Sequence, residues 1–516
     1  MAYDCIIIGA GHNGLVCANY LARSGRKVLV LEAADRVGGA AITRDFAPGF
    51  RVSACAHLLH QMPQAMIKEL DLARHGLSFA ATALPTHALA LDGRPLRLDA
   101  RAIGLRSSAD GAAFGPFTER LGKFAASLLP ALQMVPPRLA NGGWSDTLGL
   151  AKLGWQIRSL GRTDMRELLR ILGMNAYDLL EEQFESDLVK GALGFDAVLG
   201  SGFGPRSPGS VLTLLYRLAA QSASGREPLS QPQGGMGAVT DALAAAARAA
   251  GVEIRTGAAV ARIAVENDKT SGVVLADGAV IAAGTVISNA DPRTTFLKLL
   301  GTEHLDTGFV RRIDHLRSRG LVAKLHLALD GPPEFTGLDR VGLGGRLLVA
   351  PSLDYLERAF NPTKYGEMSE APALEITVPT VNDPSLAPAG QHVLSALVQY
   401  APYKFAAGWD VGKPRLTDRA IEAIEAYAPG LRRKIIAVET LTPLDIEAEF
   451  GMTGGHWHHG ELAFDQFFMV RPVPGAAQYR TPVAGLFLCG AGSHPGGGVM
   501  GAAGRNAARQ ILKQAA

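Results

Sequence analysis

The chain has 516 residues, room for two or three domains with an ordinary core, and 51 Lys and Arg stand against 48 Asp and Glu for a net charge of +3. The charges are interspersed, without basic or acidic blocks, which argues against a nucleic-acid partner. Hydrophobic residues make up 47% of the chain, yet no uninterrupted apolar run reaches the roughly 18 residues that a spanning helix needs.

The opening "YDCIIIGAG" predicts a strand over residues 3–8, followed by a glycine turn, a helix over 13–24 closed by Gly25, and a strand over 27–31. This βαβ start leaves no space for a signal sequence and reads as cytoplasmic. Cys5, Cys17, Cys55 and Cys489 are scattered, without a Cys-x-x-Cys pair, and fit a reducing compartment. From about 111 to 204 apolar residues recur three and four apart, as in "RTDMRELLRILGMNAYDLLEEQFESDLVKGAL", and predict an inserted helical cap. Within it "FAASLLPALQMVPPRLANGGW" (124–144) is the segment best suited to peripheral membrane contact, but its prolines and lack of a Lys-rich face favour a cap segment. Residues 234–290 return to an α/β pattern, with "GGMGAVTDALAAAARAAG" as a helix and several short strands after it. Between 319 and 442 alternating runs such as "LVAKLHLALD", "PALEITVPTV" and "QHVLSALVQY" predict an antiparallel sheet backed by the helix "LTDRAIEAIEAYAPG". Seven of the fifteen residues from Gly490 to Gly504 are glycine, beside a strand "LFLCGAG" and a helix "VMGAAGRNAARQIL" that begins near Val499 and Met500. Glycine is costly in regular structure, so this density answers a backbone need, such as a close ligand approach or φ above zero.

Gly9-x-Gly11-x-x-Gly14 lies between a strand and a helix, and Glu32 ends the next strand, which is the full context of a dinucleotide site. The glycines admit a pyrophosphate to the helix N-terminus, and Glu32 accepts from ribose hydroxyls while repelling the 2′-phosphate of NADP. The run "EAADRVGGAAIT" then brings Arg36 and the Gly38-Gly39 doublet.

With these motifs the chain resembles flavoprotein oxidoreductases of the amine oxidase and phytoene desaturase superfamily. The blocks "IGAGHNGLV", "VGGAAIT", "QPQGGMGAV", "NADP", "PSLAPAGQHVLSALVQYAPY", "GELAFDQFFMVRP" and "GLFLCGAGSHPGGGVMGAAGRNAA" resemble its branch around pyridine nucleotide-disulphide oxidoreductase domain-containing protein 2 and bacterial phytoene dehydrogenase-like or β-carotene ketolase-like proteins. Many members carry Arg after the glycine doublet, where this chain has Ala40. The resemblance implies non-covalent FAD and an α/β fold: a Rossmann-like FAD-binding domain of glutathione reductase type, interleaved with an α+β substrate domain of antiparallel sheet plus helical cap. The FAD-binding parts are then residues 1–110, 226–300 and 456–516, the cap 111–225 and the substrate sheet 301–455. Lacking a Cys-x-x-Cys and a second strand-nested glycine fingerprint, the chain does not read as a disulfide reductase.

By the same resemblance the segment after the Gly38-Gly39 doublet passes beneath the pyrophosphate, Val260 brackets the adenine, Gly490 meets the phosphate-ribityl portion, and the backbone at Val499 to Met500 meets the flavin's pyrimidine edge. Lys324, in "RGLVAKLHLALDG", resembles the strand lysine of amine oxidases that holds a water near the flavin; read from residues alone, it is equally a solvated lysine on an edge strand. His456, His458, His459 and Glu461 invite a metal, but their spacing does not close a tetrahedral site, so none is expected. His459 is the family-typical residue there, suited to orienting substrate or moving a proton, and also to plain packing. His57 and His60 would share a helical face and read as packing or capping residues.

The expected function is an FAD-dependent oxidoreductase taking hydride from a C–H bond of a small apolar organic substrate (carotenoid-like, lipid-like or alicyclic), of dehydrogenase or desaturase type, with oxygen or a quinone as acceptor. One alternative is an amine oxidase that makes hydrogen peroxide, although Tyr479 is the only tyrosine after residue 427 and a paired-tyrosine cage would need other donors. Another is a binding protein stabilised by FAD, with vestigial redox activity. A homodimer and peripheral membrane contact stay open.

Overall fold

The computed structural model describes residues 3–139, 142–224 and 229–513. The cap boundary expected at 225/226, and residues 140 and 141 of the 124–144 segment, lie outside the described residues.

Two sheets organise the chain. The first has five parallel strands in the order Leu486–Leu488, Thr285–Ser288, Cys5–Ile8, Val28–Leu31, Glu253–Arg255. Its central strands, CIII and VLVL, are apolar without alternation because both faces are covered. Cys5, Ile7, Val28 and Val30 pack beneath helices His12–Arg23, Gly237–Ala249 and Ala502–Leu512. Ile6, Ile8, Leu29 and Leu31 face the antiparallel ribbon that starts with strands Val260–Glu266 and Lys269–Leu275.

The second sheet has seven strands, in the order Ile435–Leu441, Val322–Leu329, His392–Gln399, Ala373–Thr377, Arg346–Val349, Thr86–Ala88, Leu96–Arg97. All neighbours are antiparallel except Arg346–Val349 with Thr86–Ala88. Residues 86–97, which sequence assigned to the first domain, therefore belong to this sheet. One face is apolar: Leu325, Leu327, Leu374, Ile376 and Val398 pack with Leu416, Ala420 and Ile424 of helix Trp409–Glu425. The other face carries the polar residues of the same alternation and looks toward the first domain. Helices from Ser108–Gln133 to Ser210–Ser224 form the cap, and no helix among the described residues is long and apolar enough to cross a membrane.

The glycine cluster near the C-terminus brings these parts together. A Cβ on Gly504 would lie 2.1 Å from Asn13 O, so helix Ala502–Leu512 lies directly on the first helix because that position is bare. This helix starts after Gly501, whose φ of +72° ends the preceding turn; Val499 and Met500 precede it rather than opening it.

Candidate functional site

A cavity of about 400 Å³ runs from the glycine turn of the first domain to the polar face of the second sheet, within the range of small-molecule sites. At its first end Gly9 (φ +93°) turns the chain, and a Cβ on Gly14 would lie 2.3 Å from Gly9 O. Gly11 caps the first helix without a side-chain bond, and no acidic residue sits in the first turn, so the helix N-terminus is open to an anion. A Cβ at Gly11 would meet Asn289 Nδ2 at 2.8 Å. Glu32 accepts from Ala10 N (2.6 Å) and Ala34 N (3.0 Å) while lining the cavity, with lone pairs left for hydroxyl groups. A bare, anion-seeking turn next to an oriented carboxylate fits a dinucleotide.

At the far end, register across the second sheet sets a row. Leu397 is paired with Lys324 on one side and Glu375 on the other, so the three share the face that looks into the site. Lys324 is 1% exposed and lies on a strand paired on both sides; the reading of a solvated edge lysine is overturned. Its Nζ lies 2.9 Å from His57 Nδ1, and His57 Nε2 lies 2.8 Å from Glu375 Oε1. Glu375 also takes the Nε of Arg346, whose Nη1 and Nη2 hold Asp196 at 3.2 and 2.6 Å. Burial pushes the Lys324 amine down to about 7. Burial, then the neighbouring Lys324, lowers His57 to about 4. Burial opposes the charge of Glu375, but Arg346 and the His57 hydrogen bond outweigh it and keep it ionised well below the usual carboxylate range. Lys324 itself lines a small adjoining void of about 20 Å³, which shares Cys55, Leu397, Met452 and Trp457 with the main cavity and has room for about one water molecule.

The loop 456–461 closes the side of the cavity. Buried Arg471 donates from Nη1 to Glu461 O (3.1 Å) and Gln466 O (3.0 Å), and from Nη2 to His458 O, Gly460 O and Ala491 O, so one guanidinium ties this loop to the last strand's loop. Burial lowers it to about 10. His459, at φ +53°, lines the cavity, and burial pushes it down to about 4. His456 lies 3.6 Å from Glu461, and His458 stands edge-on to Tyr216. Among the described residues no three His, Cys, Asp or Glu side chains gather as metal ligands.

Of the residues singled out by sequence, Gly9, Gly11, Glu32, Gly38, Gly39, Val260, Val499 and His459 line the main cavity, and Lys324 lines the adjoining void. Four do not. Gly14 sits one turn into the helix, under Gly9. Arg36 is exposed and pairs with Asp35 at 3.1 Å. Gly490 packs on Asn289, whose carbonyl a Cβ would meet at 2.5 Å, and Met500 is buried among Ala125, Tyr216 and Ala219. His57 and His60 depart from the expectation in the other direction: they lie on an irregular segment, not a helix, and both line the cavity. Tyr479 is buried away from it, donating to His494 O at 2.7 Å.

Sequence reasoning also passed over Glu375, Arg346, Arg217 and Asp196. A signal existed for three of them, since "PALEITVPTV", "GGRLLVA" and "LLYRLAA" each set one charge in an apolar run. Such a residue, if buried, needs a partner.

The model of the family described as flavin containing amine oxidoreductase matches residues 14–512. The pyridine nucleotide-disulfide oxidoreductase domain-containing protein 2 of Rattus norvegicus is 36% identical over 99% of this chain and 93% of its own. The lycopene-forming phytoene desaturase of Pseudescherichia vulneris is 25% identical over 96% of both chains. Among solved structures, cyclohexylamine oxidase from Brevibacterium oxydans has the same fold, with a TM-score of 0.58 at 18% identity over the whole of both chains. Together with the dinucleotide cradle these place the chain: it belongs to the flavin-containing amine oxidoreductase family and is a flavin-dependent oxidoreductase.

Proposed function

We propose that this protein is an FAD-dependent dehydrogenase or desaturase that holds FAD non-covalently and takes hydride from a C–H bond of an apolar substrate. The observation that carries the reading is the single cavity that joins the glycine turn and Glu32 to His57 and to Leu397 and Glu375 of the second sheet. Gly9 and Gly11, with the bare helix end, suit the pyrophosphate; Glu32 suits the ribose; Val260 suits the adenine; Gly38 and Gly39 suit the chain's passage under the phosphates. Bound there, FAD supplies the hydride acceptor, with oxygen or a quinone as the final one.

The chain's own groups bind, orient and exclude water. Leu58, Leu199, Leu397 and Trp457 give the substrate an apolar wall. Lys324 keeps an amine at the adjoining void, where it orders a water or accepts a proton, and neutral His459 presents an imidazole at the loop side.

An amine oxidase is the second reading, favoured by the buried amine of Lys324. Anaerobic reduction of the purified protein followed by admission of air separates the two without knowledge of the substrate. Slow recovery of flavin absorbance supports the dehydrogenase; fast recovery with stoichiometric hydrogen peroxide overturns it in favour of the oxidase.

A further inference from the structure

Two carboxylates and two guanidiniums meet at the cap side of the cavity, but their hydrogen bonds are unequally shared. Arg346 holds Asp196 with two N–H groups and Glu375 with a third. Arg217, on helix Ser210–Ser224, lies beside the same carboxylates, with Nε 3.3 Å from Asp196 Oδ1 and Nη2 3.7 Å from Glu375 Oε2. Neither contact has hydrogen-bond geometry, and its Nε is buried without a hydrogen-bond partner among the described residues. A guanidinium carries five donors in a planar fork, and leaving them unmade away from water is costly. Arg217 lines the main cavity, next to His60.

We propose that Arg217, with His60 beside it, is the subsite for a carboxylate carried by the substrate, so that the substrate class is an apolar molecule that bears a carboxylate. This rests on the reading of the cavity as the substrate chamber of a flavin enzyme. The planar fork matches a carboxylate in a two-pronged hydrogen bond, which a neutral carbonyl or alcohol does not reproduce. Burial and the neighbouring Arg346 lower Arg217 below the ordinary guanidinium range, against the pull of Asp196 and Glu375. Burial and then Arg217 hold His60 down to about 3, which keeps it a neutral hydrogen-bonding group. The remaining wall, Leu58, Leu199, Leu397 and Trp457, takes the apolar body. A cationic substrate group finds no free acid here, because Glu375 is occupied by Arg346 and His57.

The test is calorimetric titration of the flavin-loaded protein with octanoate and with 1-octanol, two probes that differ at the head group. Octanoate should bind wild type about 10- to 100-fold more tightly, the worth of charge-assisted hydrogen bonds. Arg217→Met should remove that preference while leaving 1-octanol within about twofold, and Arg217→Lys, which keeps the charge without the fork, should retain part of it. Equal affinity of wild type for both probes overturns the proposal and needs no variant; so does an Arg217→Met variant that weakens both probes alike. Flavin content and dithionite reducibility of the same preparations read the underlying function separately. A preference for octanoate in a protein without reducible flavin upholds the subsite and overturns the enzyme reading. Reducible flavin with no preference does the reverse.

Discussion

Replacing Lys324 with Met removes an amine that burial holds to about 7. Between that value and the ordinary lysine range the unfolded chain binds a proton that the folded chain does not, so stability rises with pH. The penalty for burying this amine is fully present below pH 7 and is relieved as the pH climbs toward 10.5. Two pH units inside the window, from about 7.5 to about 9.5, are worth roughly 3 kcal/mol. At about 2.1 cal/mol/K per residue, the unfolding entropy of this length of chain is near 1 kcal/mol/K, so 3 kcal/mol shifts Tm by about 2 to 3 °C. His57 stays neutral throughout, because burial and Lys324 hold it to about 4, and other titrations cancel between the two proteins. Thermal scans with FAD in excess should therefore show wild type gaining about 2 to 3 °C on Lys324→Met between the two pH values. A gap that does not change with pH would refute the reasoning, since it would mean that Lys324 does not titrate in the folded protein in this window.

Glu32→Ala removes the acceptor for Ala10 N and Ala34 N together with the proposed ribose contact, so the variant should purify with less flavin per protein by absorbance; full flavin content would count against the cradle. Gly504→Ala places a methyl 2.1 Å from Asn13 O and should cost about 1 to 3 kcal/mol by forcing two helices apart; an unchanged Tm would show that the contact yields freely. Arg471→Met strands five buried carbonyl contacts, at about 1 to 3 kcal/mol for each acceptor that finds no other donor; it should lower soluble yield and melting temperature, and wild-type stability would disprove the tie.

The parts that sequence made readable are those in which a local pattern carries the physics. Strand, glycine turn, helix and acidic strand end lie within residues 3–32, where apolar run, glycine spacing and helical period follow one another directly along the chain. The strand that carries Lys324 was readable from alternation, and so was its apolar face. What alternation does not carry is the register between strands, which depends on pairing across long stretches of chain. Register sets Lys324 and Glu375 on either side of Leu397, and a loop from residue 57 completes the bridge. The start of the last helix was read two residues early for a smaller reason: Gly501 adopts a left-handed conformation, so the helix begins two residues past Met500, whose side chain packs against the cap.

The buried charges of the sheet face are a poor way to stabilise a fold, since well-packed apolar side chains in place of buried ion pairs often do as well or better. Their geometry accounts for them differently. Arg346 keeps Glu375 ionised, so Glu375 only accepts, and His57 must donate to it from Nε2. The neutral ring then presents a lone pair at Nδ1, which obliges Lys324 to donate there. One amine hydrogen is thereby committed to His57, and the lone pair of the neutral amine is directed away from that ring. The chain Arg346, Glu375, His57 thus fixes the direction of one hydrogen bond of a single group, Lys324, while burial lowers its amine. A carboxylate that accepted protons freely, or a histidine free to change tautomer, would leave the orientation of that amine undefined.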